Sequence, residues 1–232
     1  MRFSEARRSL RQAQKSSRGV SLYSRWVNRP LGRLLAAAAA SAGIGPNAVT
    51  AISAIITAAG LALLIVAPVS TITGIGVALL LMLGFAFDSA DGQVARLTGA
   101  SSPAGEWLDH VVDAGKMVAV HGAVLVALWR DDADAMWLAI ALAYQFVSVV
   151  FFAALTLYPL LRGSQPVSAS AASTVRAVAL LPADYGILAL AFLLWGIQPA
   201  FLVVYAALLV ATAIIAAALS AKWFRGLSSE RS

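Results

Sequence analysis

Four aspartates stand at set intervals in one short stretch of a weakly charged chain. They are Asp88, Asp91, Asp109 and Asp113, four of only 11 acidic residues among 232. Carboxylate oxygens suit hard divalent cations such as Mg²⁺ and Mn²⁺, and four carboxylates can share two ions. Paired ions hold phosphate oxygens and neutralise the charge that develops during phosphoryl transfer. The stretch therefore predicts a site for two hard divalent cations, Mg²⁺ or Mn²⁺ with Ca²⁺ also suited, in an arrangement known for phosphoryl chemistry.

Helical spacing would place these residues on two facing stripes, since positions three or four apart share a helix face. The first stripe consists of Asp88, Asp91, Gly92, Ala95 and Arg96. The second consists of Gly105, Asp109 and Asp113. The link LTGASSPA, 97–104, is typical of a turn followed by a helix start, so an antiparallel pair would direct the carboxylates toward each other. Lys116, one turn beyond Asp113, is placed to pair with that acid or to bind a phosphate.

The composition predicts that lipid surrounds these helices. The chain is 60% hydrophobic and 12% charged, whereas soluble domains are about half apolar and about a quarter charged. A spanning helix needs roughly 20 apolar residues. Candidate spans lie at about 46–69, 71–96, 103–129, 134–161, 184–197 and 199–224. We expect an all-α integral membrane protein with six transmembrane helices. The chain has no cysteine, which excludes disulfides and thiolate metal sites.

The segment before the first span is basic and amphipathic. Arg25, Arg29 and Arg33 share one helix face, and apolar residues occupy much of the other. This predicts an amphipathic helix on the membrane interface, kinked or divided at Pro30. A signal peptide is the alternative, but its apolar core would be short. Before residue 34 lie nine of the 17 Lys and Arg: Arg2, Arg7, Arg8, Arg11, Lys15, Arg18, Arg25, Arg29 and Arg33.

The placement of positive charge predicts the orientation. Short cytoplasmic loops are enriched in Lys and Arg. If the N-terminus is inside, the outer loops carry only Arg130, beside three aspartates. Both termini and the acidic stretch are therefore expected on the cytoplasmic side. The chain would divide into a basic interfacial segment (1–45), a six-span domain (46–224) and a cytoplasmic tail (225–232).

The acidic stretch resembles the signature of the CDP-alcohol phosphotransferase family. All eight fixed positions of that 26-residue signature are matched, by Asp88, Asp91, Gly92, Ala95, Arg96, Gly105, Asp109 and Asp113. PNAVT, 46–50, resembles the segment that opens the family's first span and helps to bind the nucleotide. The resemblance implies that an acceptor hydroxyl displaces CMP from a CDP-alcohol and forms a phosphodiester. It also implies a homodimer.

The resemblance further implies a role for each matched residue. Asp88, Asp91 and Asp109 would hold one metal ion, and Asp88, Asp109 and Asp113 the second. Asp113 would also be the base that takes the acceptor's proton. Implied contacts to the CDP moiety are Gly92, Ala95, Arg96, Gly105 and, with weaker support, Ser102, Asn47 and Thr50.

Two branches of the family fit the sequence. The favoured one uses CDP-diacylglycerol and a soluble acceptor such as inositol phosphate or glycerol phosphate. Arg162 and Arg176 could supply positive charge for that phosphate; the alternative is that they only reflect the positive-inside topology. The other uses a soluble CDP-alcohol, such as CDP-choline or CDP-ethanolamine, and a lipid acceptor. SSPAGEWLDH, 101–110, is similar to the second branch, in which His110 would share the base role. The alternative for His110 is a helix residue beside the site without a catalytic duty.

A cation transporter is the alternative of a different class, because acids within a membrane mark ion paths. Transport sites usually lie near the bilayer midplane on broken or repeated helices. Here the acids lie at one end of their spans and no internal repeat is visible. For the basic N-terminal segment an anionic lipid surface is the expected partner, with no nucleic acid beyond the cytidine nucleotide.

Overall fold

The computed structural model describes residues 3–12, 19–162 and 174–229, which are mostly helical and contain no strand. Arg2, Lys15, Arg18, Arg231 and residues 163–173 of the polar linker lie outside the described residues. A π-helix, Ser24–Asn28, precedes α2, and the 3₁₀ turns Leu181–Ala183 and Phe192–Leu194 flank α8. The α-helices are α1 (Phe3–Gln12), α2 (Arg29–Ser41), α3 (Pro46–Val66), α4 (Thr71–Thr98), α5 (Pro103–Arg130), α6 (Ala135–Arg162), α7 (Thr174–Ala179), α8 (Tyr185–Ala191) and α9 (Gln198–Ser229).

Within those ranges, five helices are long and apolar enough to cross a membrane: α3, α4, α5, α6 and α9. Each begins within one residue of its expected start. The expected span at 184–197 is instead a short apolar stretch, Tyr185–Leu194, about half the roughly 20 residues that a crossing requires. Pro182 and Pro199 bracket it, and a proline inside a helix removes a backbone hydrogen bond and kinks or breaks the helix. The structure therefore has five helices of spanning length where six were expected.

The turn between α4 and α5 has the geometry that its sequence predicted. Gly99 ends α4 in the left-handed conformation, with φ 68°, which glycine adopts without strain. Ser102 Oγ accepts the Gly105 N–H at 3.1 Å and caps α5. The chain thus reverses and forms a helical hairpin. Because α3 packs against both α4 and α5, it lies beside the two helices that carry the carboxylates.

The described part of the basic segment before the first span forms three helical pieces, α1, the π-helix and α2, that pack on α4. Pro30 lies in the first turn of α2, where its missing N–H is tolerated. The preceding π-helix is closed by the Arg29 N–H and the Ser24 carbonyl. A Cβ at Gly32 would stand 2.8 Å from Ser89 Oγ. Glycine therefore permits the close approach of α2 to α4.

Asp184 fastens this segment to the start of α8. Its Oδ2 accepts hydrogen bonds from Ser21 Oγ and, at 2.6 Å, from Ser24 Oγ. Its Oδ1 accepts the Gly186 N–H at 2.7 Å and caps α8. Removing Asp184 would therefore release both the N-terminal segment and the first turn of α8.

A buried polar contact ties the hydrophobic core together. His121 Nδ1 hydrogen bonds to Tyr205 Oη at 2.7 Å, and His121 Nε2 to Ser148 Oγ at 2.9 Å. These bonds join α5, α6 and α9 and hold His121 in the core. Large apolar side chains such as Ile72 and Phe146 are exposed on the outer surface. Such a surface suits lipid rather than water.

Candidate active site

Three carboxylates converge at the hairpin of α4 and α5. Asp88 on α4 and Asp109 and Asp113 on α5 each offer one oxygen, and these oxygens lie within 4.8 Å of one another. The spacing of four residues places the two α5 aspartates on one face. All three side chains are partly buried. Hard oxygen donors at this spacing fit a divalent cation.

Lys116 lies between two of these carboxylates. Its Nζ contacts Asp88 Oδ1 and stands 3.1 Å from Asp113 Oδ1. The lysine side chain is only 9% exposed, and burying a charge without a partner is costly. The ammonium therefore offsets part of the negative charge of the cluster. Pairing with Asp113 confirms one of the two alternatives that the sequence left open, and the contact with Asp88 adds a second partner.

The fourth aspartate, Asp91, is not among the three converging carboxylates. Its Oδ2 accepts a hydrogen bond from Thr50 Oγ1 at 2.6 Å, and its Oδ1 accepts the Gly92 N–H. Both Asp91 and Thr50 are almost fully buried, at 6% and 3% exposure. The bond fixes the first turns of α3 against α4. Asp91 nevertheless lines the same cavities as Asp109.

A cavity of about 470 Å³ opens beside the carboxylates, between the start of α3, the end of α4 and the start of α5. Its size is typical of sites that enclose a small molecule. Asp91, Asp109 and His110 contribute to its lining. The residues for which the resemblance implied nucleotide contacts also line it: Asn47, Thr50, Gly92, Ala95, Arg96, Ser102 and Gly105.

A second cavity, of about 190 Å³, adjoins the first. The two share Asp91, Gly92, Arg96 and Asp109. The smaller one is closed by residues that the sequence did not mark as part of the site: Arg29, Ser89 and Gln93. The spacing of Arg25, Arg29 and Arg33 along one helix face was the sequence feature that could have indicated Arg29, but this face was expected to lie on the membrane interface.

Helices of spanning length, a carboxylate cluster and an adjoining polar cavity define a membrane protein with a site for a charged ligand. The chain belongs to the CDP-alcohol phosphatidyltransferase family, whose model matches residues 44–223. No curated protein matches the chain at a significant level. Membership confirms the family expected from the signature. Membership of this family implies that the protein transfers a phospho-alcohol group from a CDP-alcohol to a hydroxyl acceptor in a membrane, as part of phospholipid synthesis.

We expect Thr50→Val to lower the rate of CMP release by about tenfold, since a hydrogen bond to a charged group is worth about 1.5–3 kcal/mol. The change removes the donor to Asp91 while nearly preserving side-chain shape. Thr50→Ser should restore most of the rate. Thr57→Val is the matched control, because Thr57 is equally buried on α3 and lines neither cavity. Equal rates in both valine variants would contradict the prediction.

Proposed function

We propose that the protein transfers a phosphatidyl group from CDP-diacylglycerol to a soluble alcohol phosphate, such as inositol phosphate or glycerol phosphate, and releases CMP. The observation that supports this most is the adjacency of the carboxylate cluster to the larger cavity. Asp109 belongs to both. A nucleotide in that cavity would therefore present its phosphates to the carboxylates.

In this proposal Asp88, Asp91, Asp109 and Asp113 hold two divalent cations, Mg²⁺ or Mn²⁺. The residues present fit these cations, because carboxylate oxygens are the ligands that hard divalent cations prefer. Three of the carboxylates lie close together, and the cluster already attracts one positive charge, the Lys116 ammonium. The ions would neutralise charge on the pyrophosphate as CMP leaves.

The chain's own residues would bind the nucleotide and move the proton. Arg96 and the backbone at Gly92 and Gly105 hold the CDP moiety in the larger cavity. The oxygen of the acceptor hydroxyl attacks phosphorus, and a carboxylate oxygen of Asp113 accepts the proton that this hydroxyl loses. His110 lines the larger cavity but is not a member of the carboxylate cluster, so we assign the base role to Asp113.

We further propose how the protein sits in the membrane. The stretch Tyr185–Leu194 makes a short sixth crossing, and the N-terminal segment lies on the interface, where Trp26 is 71% exposed. The distribution of Lys and Arg supports cytoplasmic termini and a cytoplasmic active site. The protein acts as a homodimer, as the family resemblance implies.

A soluble CDP-alcohol with a lipid acceptor is the second candidate. The observation that favours it is the position of His110 in the larger cavity, within the run SSPAGEWLDH. In that branch His110 would share the base role with Asp113.

The two candidates are separated by measuring CMP release from purified protein with Mg²⁺ or Mn²⁺. CDP-diacylglycerol is tested with inositol phosphate and glycerol phosphate, and CDP-choline and CDP-ethanolamine with diacylglycerol. We expect release from CDP-diacylglycerol only. Release from the soluble donors alone would replace the proposed reaction with the second candidate. Folded protein that binds CDP yet releases no CMP with any pair would overturn both.

A further inference from the structure

The smaller cavity brings positive charge to the edge of the carboxylate cluster. Arg29 enters from α2 and Arg96 from α4. Burial lowers the pKa of Arg29, and the charges of Arg96 and Arg25 lower it further. Three carboxylates, Asp88, Asp91 and Asp109, line the same cavity. When divalent cations neutralise these carboxylates, the two guanidinium groups favour an anion beside them.

Polar atoms around this cavity also lack partners. Arg96 Nε and Gln93 Oε1 are buried and make no hydrogen bond to any described residue. Buried polar atoms are normally satisfied, so each unpaired atom calls for an explanation. The unpaired N–H of Arg96 is a donor that a ligand oxygen could engage.

The size and position of the cavity limit what it can hold. Its volume of about 190 Å³ lies below the roughly 300–1,000 Å³ of sites that enclose whole small-molecule ligands. It therefore suits one substituent of a ligand whose remainder lies elsewhere. Asp91 and Asp109 border both cavities, so that substituent would lie close to the reacting phosphates.

We propose that the smaller cavity is a phosphate subsite in which Arg29 and Arg96 bind a phosphate group of a substrate. Guanidinium groups match phosphate oxygens in geometry and charge. Arg29 lies outside residues 44–223, the part that the family model covers. In this chain α2 therefore completes the active site, and Gly32 holds it close enough to α4. The identity of the substrate rests on the proposed function; the binding of phosphate does not.

The test compares ligand affinities of the full-length protein and its Arg29→Gln variant in Ca²⁺, measured by isothermal titration calorimetry. The probes are CDP, CMP, glycerol 3-phosphate and inositol 1-phosphate. Arg33→Gln is the matched control, because it removes the same charge one turn away on α2, from a residue that lines neither cavity. We expect Arg29→Gln to weaken one class of ligand by about tenfold, as loss of a charge-assisted hydrogen bond predicts.

The pattern of losses identifies the phosphate. Weaker binding of CDP with unchanged CMP would assign the subsite to the second phosphate of the nucleotide donor. Weaker binding of the alcohol phosphates alone would assign it to the acceptor. Affinities that match those of Arg33→Gln for all four probes would overturn the proposal.

A second variant, Arg29→Lys, and CMP release by the wild-type protein complete the test. Arg29→Lys retains the charge but not the planar fork, so it should fold and lose affinity for the same class of ligand as Arg29→Gln. Unchanged affinities in Arg29→Lys would overturn the proposal if Arg29→Gln failed to fold. Wild-type protein that binds these ligands through Arg29 but releases no CMP would overturn the proposed function and leave the subsite in place.

Discussion

Asp113→Asn is expected to lower metal-dependent CMP release by about a thousandfold, since a general base contributes roughly 10²–10⁴ in rate. The amide cannot accept the acceptor's proton, although it preserves the size of the side chain and one oxygen. Asp113 also stands in the carboxylate cluster, so part of the loss would come from weaker metal binding. The measurement is initial CMP release across a series of Mg²⁺ concentrations.

The control for this variant is Asp132→Asn. Asp132 is exposed and adopts a left-handed backbone with φ 53°, a conformation that asparagine tolerates well. It should release CMP at the wild-type rate. Measuring the affinity for CDP separates an effect on chemistry from an effect on binding. We expect Asp113→Asn to reduce the affinity for CDP by less than about tenfold. A rate within tenfold of wild type at saturating Mg²⁺ would remove Asp113 from the base role.

Lys116→Met is expected to destabilise the metal-free protein by about 3–5 kcal/mol, the usual effect of removing one partner of a buried ion pair. Lys116, Asp88 and Asp113 have side chains only 9%, 16% and 24% exposed, so solvent would screen the remaining carboxylates weakly. In EDTA the unfolding midpoint should fall by on the order of 10 °C. Thermal unfolding in detergent, with EDTA or with Mg²⁺, measures the effect.

Mg²⁺ should recover most of that loss, because a divalent cation can neutralise the carboxylates that the ammonium no longer contacts. The gain on adding Mg²⁺ should therefore be larger in Lys116→Met than in the wild type. Lys222→Met serves as the control, since Lys222 is exposed on α9. If both methionine variants unfolded at the same temperature in EDTA, Lys116 would contribute nothing to the stability of the cluster.

The short apolar stretch Tyr185–Leu194 shows where hydropathy reaches its limit. A run of apolar residues around 184–197 resembles a short crossing, but hydropathy does not show where the helix breaks. Asp184 caps the helix at its start and a 3₁₀ turn, Phe192–Leu194, ends it. Asp184 also accepts hydrogen bonds from Ser21 and Ser24, about 160 residues away in sequence, and hydropathy cannot predict such contacts.

The family, and most of the residues that line the larger cavity, followed from the sequence by itself. Eight residues at set spacing identified the family, and the regular pitch of a helix placed Asp109 and Asp113 on one face. The five long spans followed from hydropathy, because a helix satisfies its own backbone hydrogen bonds in lipid. The turn at Gly99 and Ser102 followed from local residue preferences.

Tertiary structure decided how those residues are neutralised and what surrounds them. Lys116 reaches Asp88 across the hairpin, and Thr50 binds Asp91 from another helix, at a separation of 41 residues. Arg29 reaches the site only because α2 packs closely on α4 at Gly32. Each of these contacts joins different helices, so it depends on how the helices pack. Spacing along one helix determines a shared face, but not the side chains that another helix brings to that face.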